Sequence, residues 1–280
     1  MKIAAFGFAM IQAVDLDYFE NTGEILPGFD MGNALRNGGR KNKKKKKPKK
    51  TNLPAGAKML PTQRALKIGD NRDKVADILY WLLQNSPDSG NLPTYSDILN
   101  GYGCWCQFYD AENWASSNKG TPTDNLDTAC RSWNKCYDCI NQDDSTCDGI
   151  SSTYSDVLYF AETSEISCEL AGAEGSCERN ACECDVKLAV SLFQSSIEFD
   201  DAYSSENGFD TASCIATGGG PGFAPDKCCG TYPDRFPFYS YDNTRGCCAG
   251  KTYDKDTLQC CEGGHVAVVC DGMNFGNPYA

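Results

Sequence analysis

Residues able to carry chemistry are scarce in this chain and unevenly spread. There is a single histidine, His265, which argues against a Cys/His zinc array. No nucleophile elbow, P-loop or complete EF-hand occurs. Asp143-Asp144, Asp148 and Asp254-Lys-Asp256 could bind surface calcium weakly, but the same clusters also suit solvated loops. One region concentrates polar and aromatic residues at short spacing. It runs from Tyr102-Gly-Cys-Trp-Cys106 through Pro122-Thr-Asp-Asn-Leu-Asp to Cys130-Arg-Ser-Trp-Asn-Lys-Cys-Tyr137, and Cys182-Glu-Cys-Asp185 follows. Trp133 stands at its centre. An indole can donate a hydrogen bond but cannot take a proton from an attacking water. The neighbouring Asn134 offers a neutral amide, a poorer calcium ligand than a carboxylate.

These residues need helices to position them. Asp70 or Asn71 can cap a first helix in which Val75, Ile78, Leu79 and Leu82 follow at helical spacing, closed by Pro87 and Gly90. A second helix is expected over about 125–140, with Leu126, Cys130, Trp133, Tyr137 and Ile140 on one face. A third is expected over about 178–193, burying Ala181, Cys184, Leu188 and Leu192. Between them, 154–168 is rich in aromatic and β-branched residues and reads as a small hairpin or wing.

Eighteen cysteines in 280 residues point to a disulfide framework made in an oxidising compartment. Residues 1–13 fit a short signal peptide, with Lys2 before the apolar run 3–11 and the small Ala13 at a cleavage position. No later stretch approaches the ~20 apolar residues that span a bilayer. A secreted, extracellular protein without a transmembrane segment is the expectation. Charge is segregated. Residues 36–50 carry ten positive charges and no negative ones, whereas 51–280 carry 33 acidic and 15 basic residues. Residues 14–69 are rich in Gly, Asn, Pro and Lys without periodicity and are expected to be a disordered arm. Within it, Arg40, Lys41, Lys43, Lys44, Lys45, Lys46, Lys47, Lys49 and Lys50 form a candidate polyanion-binding run. A processing site at Lys49-Lys50 is an equal alternative, and a nuclear signal conflicts with the disulfides. No nucleic-acid partner is expected.

The region around Trp133 closely resembles secreted phospholipase A2. That family has a calcium loop YGCxCGxGG followed by a helix PxDxLDxCCxxHDxCY. The resemblance covers about residues 70–214 and implies a mainly α, disulfide-rich domain. It sets the catalytic histidine on Trp133 and the calcium aspartate on Asn134. Tyr137 and Asp185 match the residues that orient the histidine, which here implies a structural hydrogen bond between two helices. After Cys106 the chain reads Gln107-Phe-Tyr-Asp110 in place of the glycine-rich turn, with about eight extra residues before Pro122. Loop, metal carboxylate and base are thus all altered. The family pattern further implies Cys106–Cys130, Cys136–Cys184, Cys168–Cys182 and Cys147–Cys177, with Cys214 the candidate for Cys104. Ala129 and Ser191 stand where the family has one more bonded pair, so both partners are lost together. Cys139 has no family partner and could bond into the C-terminal part.

Residues 215–280 read as a small loop and β, Cys-rich module after the loop 218–222. Cys228-Cys229, Cys247-Cys248 and Cys260-Cys261 are vicinal pairs, with Tyr241-Asp and Tyr253-Asp as a short repeat. Adjacent cysteines do not readily bond each other, so each pair should reach two partners. The spacing is similar to galaxin-like modules of skeletal matrix proteins, and a generic secreted Cys-rich unit fits it equally.

The expected function is a non-catalytic phospholipase A2-like matrix protein, an extracellular or biomineral-associated scaffold similar to otoconin-type proteins. No cofactor is expected beyond weak surface calcium, and partners would be matrix polyanions or a mineral surface. The alternative is a secreted homologue that binds lipid in its cleft or a receptor at its surface. An active calcium-dependent phospholipase A2 requires some other residue to supply the base.

Overall fold

Three helices carry the frame, and each starts at a side chain that can cap it. The computed structural model describes residues 53–60, 70–108, 120–154, 157–160, 165–215 and 225–270. Helix α1 (Asn71–Gln84) starts at Asp70, whose carboxylate accepts from the Arg72 amide. A short helix α2 (Tyr95–Leu99) follows, closed by a reciprocal capping box between Thr94 and Asp97. Helix α3 (Asn125–Asp143) is capped by Asp124 and helix α4 (Cys177–Ser195) by Ser176. The caps satisfy amides that have no partner within the first turn.

The apolar faces read from spacing are the buried ones. Val75, Leu79, Leu126, Cys130, Tyr137, Ile140, Leu188 and Leu192 lie in one core with almost no exposure. Helix α4 is the central element, packing against both α1 and α3. Strands β2 (Asn100–Tyr102) and β3 (Cys106–Gln107) form a tight antiparallel pair leading into α3.

The expected hairpin within 154–168 exists as β4 (Leu158–Phe160) paired with β5 (Glu165–Ser167). It has a third strand that corrects the expected limit of the disordered arm. Strand β1 (Ala57–Met59) pairs antiparallel with β4, Lys58 opposite Tyr159. Three residues are too few to show a period, and this strand borrows its order from an existing edge. The sheet leans on α1 through Tyr159, whose ring lies 4.5 Å from that of Trp81. The proposed signal peptide, the whole Arg40–Lys50 run and the loop 218–222 lie outside the described residues.

After α4, a series of 3-10 turns reaches Cys214, and the C-terminal region then consists of short strands. Three antiparallel hairpins occur there: β6 (Lys227–Cys229) with β7 (Phe236–Phe238), β8 (Arg245–Cys248) with β9 (Lys251–Asp254), and β10 (Gln259–Cys260) with β11 (Val266–Ala267). Tyr241-Asp242 lies in a left-handed turn before β8, whereas Tyr253-Asp254 ends β9, so the short repeat is not a structural one.

No cysteine is free. Cys106–Cys130, Cys136–Cys184, Cys147–Cys177, Cys168–Cys182 and Cys104–Cys214 are the bonds implied by the resemblance. Cys139 bonds Cys228 and ties α3 to the C-terminal region. Each vicinal pair then hands the chain on, through Cys229–Cys247, Cys248–Cys260 and Cys261–Cys270. A second tie sits at the end of α3. Asp143 occupies the last turn, where the helix dipole disfavours a carboxylate. Arg235 neutralises it with hydrogen bonds of 2.7 and 2.9 Å, and Tyr232 adds one of 2.9 Å.

Candidate functional site

Asp185 is the focus on which α3 and α4 converge. It faces α3 from the middle of α4 and is fully buried. Trp133 Nε1 donates to its Oδ1 at 2.7 Å, and the Tyr137 hydroxyl donates to the same oxygen at 2.8 Å. The Tyr154 hydroxyl donates to Oδ2 at 2.9 Å. Burial pushes the Asp185 carboxyl up to about 7, against the three donors, which favour the ionised form and pull it down. Burial, reinforced by the charge of Asp185, raises both tyrosines well above their ordinary range.

Trp133 fills the space beside this carboxylate. It is 3% exposed, with its ring stacked on Phe108 at 4.8 Å and tilted against Tyr137 at 4.6 Å. Three of the residues singled out from sequence, Trp133, Tyr137 and Asp185, are therefore in one cluster. The fourth, Asn134, is buried beside it. Its amide nitrogen donates to the Cys130 carbonyl of its own helix at 3.0 Å.

The loop before α3 is held from below by Asp127. This buried carboxylate accepts from the amides of Cys104, Trp105 and Thr123 at 2.9, 2.6 and 2.9 Å. Burial raises its pKa, and the same three amides pull it back. The approach is close enough to require glycine at position 103. Its φ is +58°, and an added Cβ would lie 2.4 Å from the Asp127 carboxyl carbon.

The described part of the loop hydrogen-bonds to the chain itself. Gln107 Nε2 donates to the Gly103 carbonyl at 2.9 Å, and Arg72 Nη1 donates to the Phe108 carbonyl at 3.2 Å. Two carbonyls of the turn thus face the chain's own donors, one of them a guanidinium. Tyr109 and Asp110 lie outside the described residues. Among the described residues no group of three or more His, Cys, Asp or Glu could hold a metal.

The surface acids named from sequence are dispersed rather than gathered. Asp143 belongs to Arg235, Asp144 binds the Thr146 amide and hydroxyl, Asp148 binds Ser151, and Asp254 caps the Asp256 amide. His265 is an exposed turn residue of the last hairpin, its carbonyl accepting from the Cys261 amide. Sequence reasoning missed Phe108, Tyr154 and Arg72. Tyr154 had a signal in the aromatic stretch after α3, and Arg72 in its place two residues after the capping Asp70; Phe108 had none.

A helix pair joined by Cys136–Cys184, with an aspartate held by ring hydroxyls between its members and a Cys-x-Cys loop clamped on α3, defines a phospholipase A2-like fold. The family profile described as Phospholipase A2 matches residues 92–204. The chain is 30% identical over 134 residues to the phospholipase A2 homolog otoconin-22 of Xenopus laevis, covering 48% of this chain and 83% of that protein. It is 29% identical over 102 residues to a phospholipase A2 of Bos taurus, covering 35% of this chain and 63% of that protein. It is 30% identical over 102 residues to basic phospholipase A2 1 of Naja sagittifera, covering 36% of this chain and 69% of that protein. The chain belongs to the phospholipase A2 family.

Proposed function

We propose that this protein is a secreted, non-catalytic phospholipase A2-like matrix protein, an extracellular or biomineral-associated scaffold. The observation that carries the non-catalytic part is the hydrogen bond from Trp133 Nε1 to Asp185. The family's histidine falls on Trp133, and an indole nitrogen has no free lone pair with which to take a proton from water. The ring also occupies the space beside Asp185, stacked on Phe108. The Gln107 and Arg72 contacts leave the loop poorly suited to converge on calcium.

Placement outside the cell is supported by a chain whose cysteines are all paired. No helix of the described residues is long and apolar enough to cross a membrane. The matrix reading is supported by the otoconin-22 relative and by the division between a basic run at 36–50 and an acidic remainder. In this reading Arg40 to Lys50 engage matrix polyanions, and the acidic body engages mineral cations. The dicysteine ladder of the C-terminal region adds rigidity suited to a scaffold.

Two measurements test the proposal. Purified protein should release no fatty acid from phospholipid vesicles, with or without millimolar calcium, and Trp133→His with Asn134→Asp should not rescue activity. Calcium-dependent turnover by the unmodified chain would overturn the non-catalytic reading. Deletion of 14–50 should weaken retention on heparin-like polymers while carbonate-mineral association persists. If neither form binds mineral or polyanion at moderate salt, the scaffold reading falls in favour of a lipid- or receptor-binding homologue.

A further inference from the structure

A cavity of about 480 Å³ lies on the side of α3 and α4 that faces the C-terminal region. Its walls come from both helices and from the segment Pro233–Phe236, and it is open to solvent on one side. Ala129 and Ser191 both line it. These are the two positions where the family resemblance implies a missing disulfide, so small side chains replace a bridge there and leave room. The segment Pro233–Phe236 is anchored by Cys139–Cys228 and by Arg235 on Asp143. The cavity therefore depends on the C-terminal region being in place.

Its chemistry is specific in three respects. Two ammonium groups, Lys135 and Lys187, line it. Among the described residues Lys135 has no ion pair, and burial, helped by nearby Arg131, lowers its pKa. Asp138, one turn along the same helix and exposed, is the acid whose charge partly offsets this, and it does not line the cavity. Lys187 meets Asp234 at 3.5 Å with both side chains largely exposed, a contact weak enough to exchange for a ligand. Second, hydroxyls and amides ring the cavity: Thr128, Ser132, Ser191, Gln194 and Asn125. Third, Leu188, Pro233 and Phe236 supply apolar surface.

From this set we infer that the cavity binds an acidic saccharide unit, a sugar ring bearing a sulfate or carboxylate group. The anionic group would lie between Lys135 and Lys187. The ring hydroxyls would meet the hydroxyl and amide side chains, and the C–H face would meet Phe236 and Leu188. A bare inorganic oxyanion would leave most of the volume and all of the apolar surface unused. An alkyl chain would bring no anion to the two ammonium groups and would set Ser191 and Gln194 against apolar atoms, whereas Thr128, Ser132 and Asn125 already donate within the protein. Elsewhere the acidic body repels polyanions, so this cationic recess is where one could be seated. The inference deepens the matrix reading by assigning a polyanion contact to the folded body, separate from Arg40 to Lys50.

The test is calorimetric titration of the full-length protein with a heparin-derived sulfated disaccharide, with sodium sulfate and decyl sulfate in parallel. Saturable binding of the disaccharide is expected, weakening with salt and at least about tenfold tighter than sulfate. Lys135→Met should weaken it about tenfold or more, Lys135→Arg should largely retain it, and Lys251→Met on the far hairpin should not change it. Equal affinity for sulfate and disaccharide, or tighter binding of decyl sulfate, overturns the saccharide assignment. Unchanged affinity in Lys135→Met overturns the site. A variant with Lys43 to Lys47 changed to glutamine should still bind the disaccharide. If that variant loses all retention on long heparin while the disaccharide still binds, the arm and the cavity are separate sites. If the disaccharide fails to bind while long heparin is retained through the arm, the cavity proposal fails and the matrix reading stands.

Discussion

Replacing Trp133 with phenylalanine separates what the indole ring does from what its N–H does. Phenylalanine keeps the stacking surface against Phe108 and Tyr137 but loses the 2.7 Å hydrogen bond to Asp185. Losing part of a fully buried ring costs about 1–2 kcal/mol. Losing the hydrogen bond depends on the state of the acid. To a neutral carboxyl it is worth about 0.5–1.5 kcal/mol, and to a carboxylate about 1.5–3 kcal/mol. The Asp185 carboxyl sits at about 7 in the folded protein, raised by burial. At pH 5 it is mostly protonated and at pH 8.5 mostly ionised. The variant should therefore lose about 1.5–3.5 kcal/mol at pH 5 and about 2.5–5 kcal/mol at pH 8.5. The sign follows from linkage. Removing a donor to the ionised form raises the folded-state pKa further above its unfolded value, so the variant's deficit grows as pH rises through 7. Urea unfolding without reductant, followed by circular dichroism at the two pH values, measures both numbers. A deficit that is the same at both pH values, or below about 0.5 kcal/mol, would refute the assignment of Trp133 as a donor to a titrating buried acid.

Asp185→Asn keeps the shape and lets Tyr154 accept from the new amide. The wild-type contribution of Asp185 is full below its unfolded pKa of 3.8 and is lost as pH rises through about 7, so the gap in stability between variant and wild type should move in the variant's favour by a few kcal/mol over that range. Paired unfolding curves from pH 4 to 8 check this, and parallel curves would count against it. Gly103→Ala should cost more than about 2 kcal/mol, because a Cβ meets the Asp127 carboxylate and the residue has positive φ. A thermal melt within 2 °C of wild type, a shift of roughly half a kcal/mol, would contradict that close approach. Removing Cys139 and Cys228 together should speed amide exchange in β6 and β7 while leaving α1 and α4 protected, since this is the bond joining the C-terminal region to α3. Uniform loss of protection would mean that the two regions unfold as one unit.

The helices were legible because their signals are local. Asp70, Asp124 and Ser176 sit one residue before the helices they cap, and the 3.6-residue period of Leu126, Cys130, Trp133, Tyr137 and Ile140 marks the buried face of α3. The bonds from Cys106 to Cys130 and from Cys136 to Cys184 were legible through the spacing shared with the family. Strand β1 was not, because its order comes from an edge a hundred residues away in the chain.

The amino-acid sequence alone determined the frame of this protein and the residue types at its candidate site. The family resemblance sets the histidine on Trp133 and the calcium aspartate on Asn134, and both residue types are read directly from the chain. Tertiary structure decided what those residues do. It put Phe108 against the Trp133 ring, brought Tyr154 to the second oxygen of Asp185, and turned Arg72 onto the Phe108 carbonyl. It also gave Cys139 its partner and set Pro233–Phe236 against the cavity between α3 and α4. Each of these contacts joins residues far apart along the chain. Periodicity and propensity report only a residue's near neighbours, so such pairings exist only once the core has closed and aligned the elements that carry them.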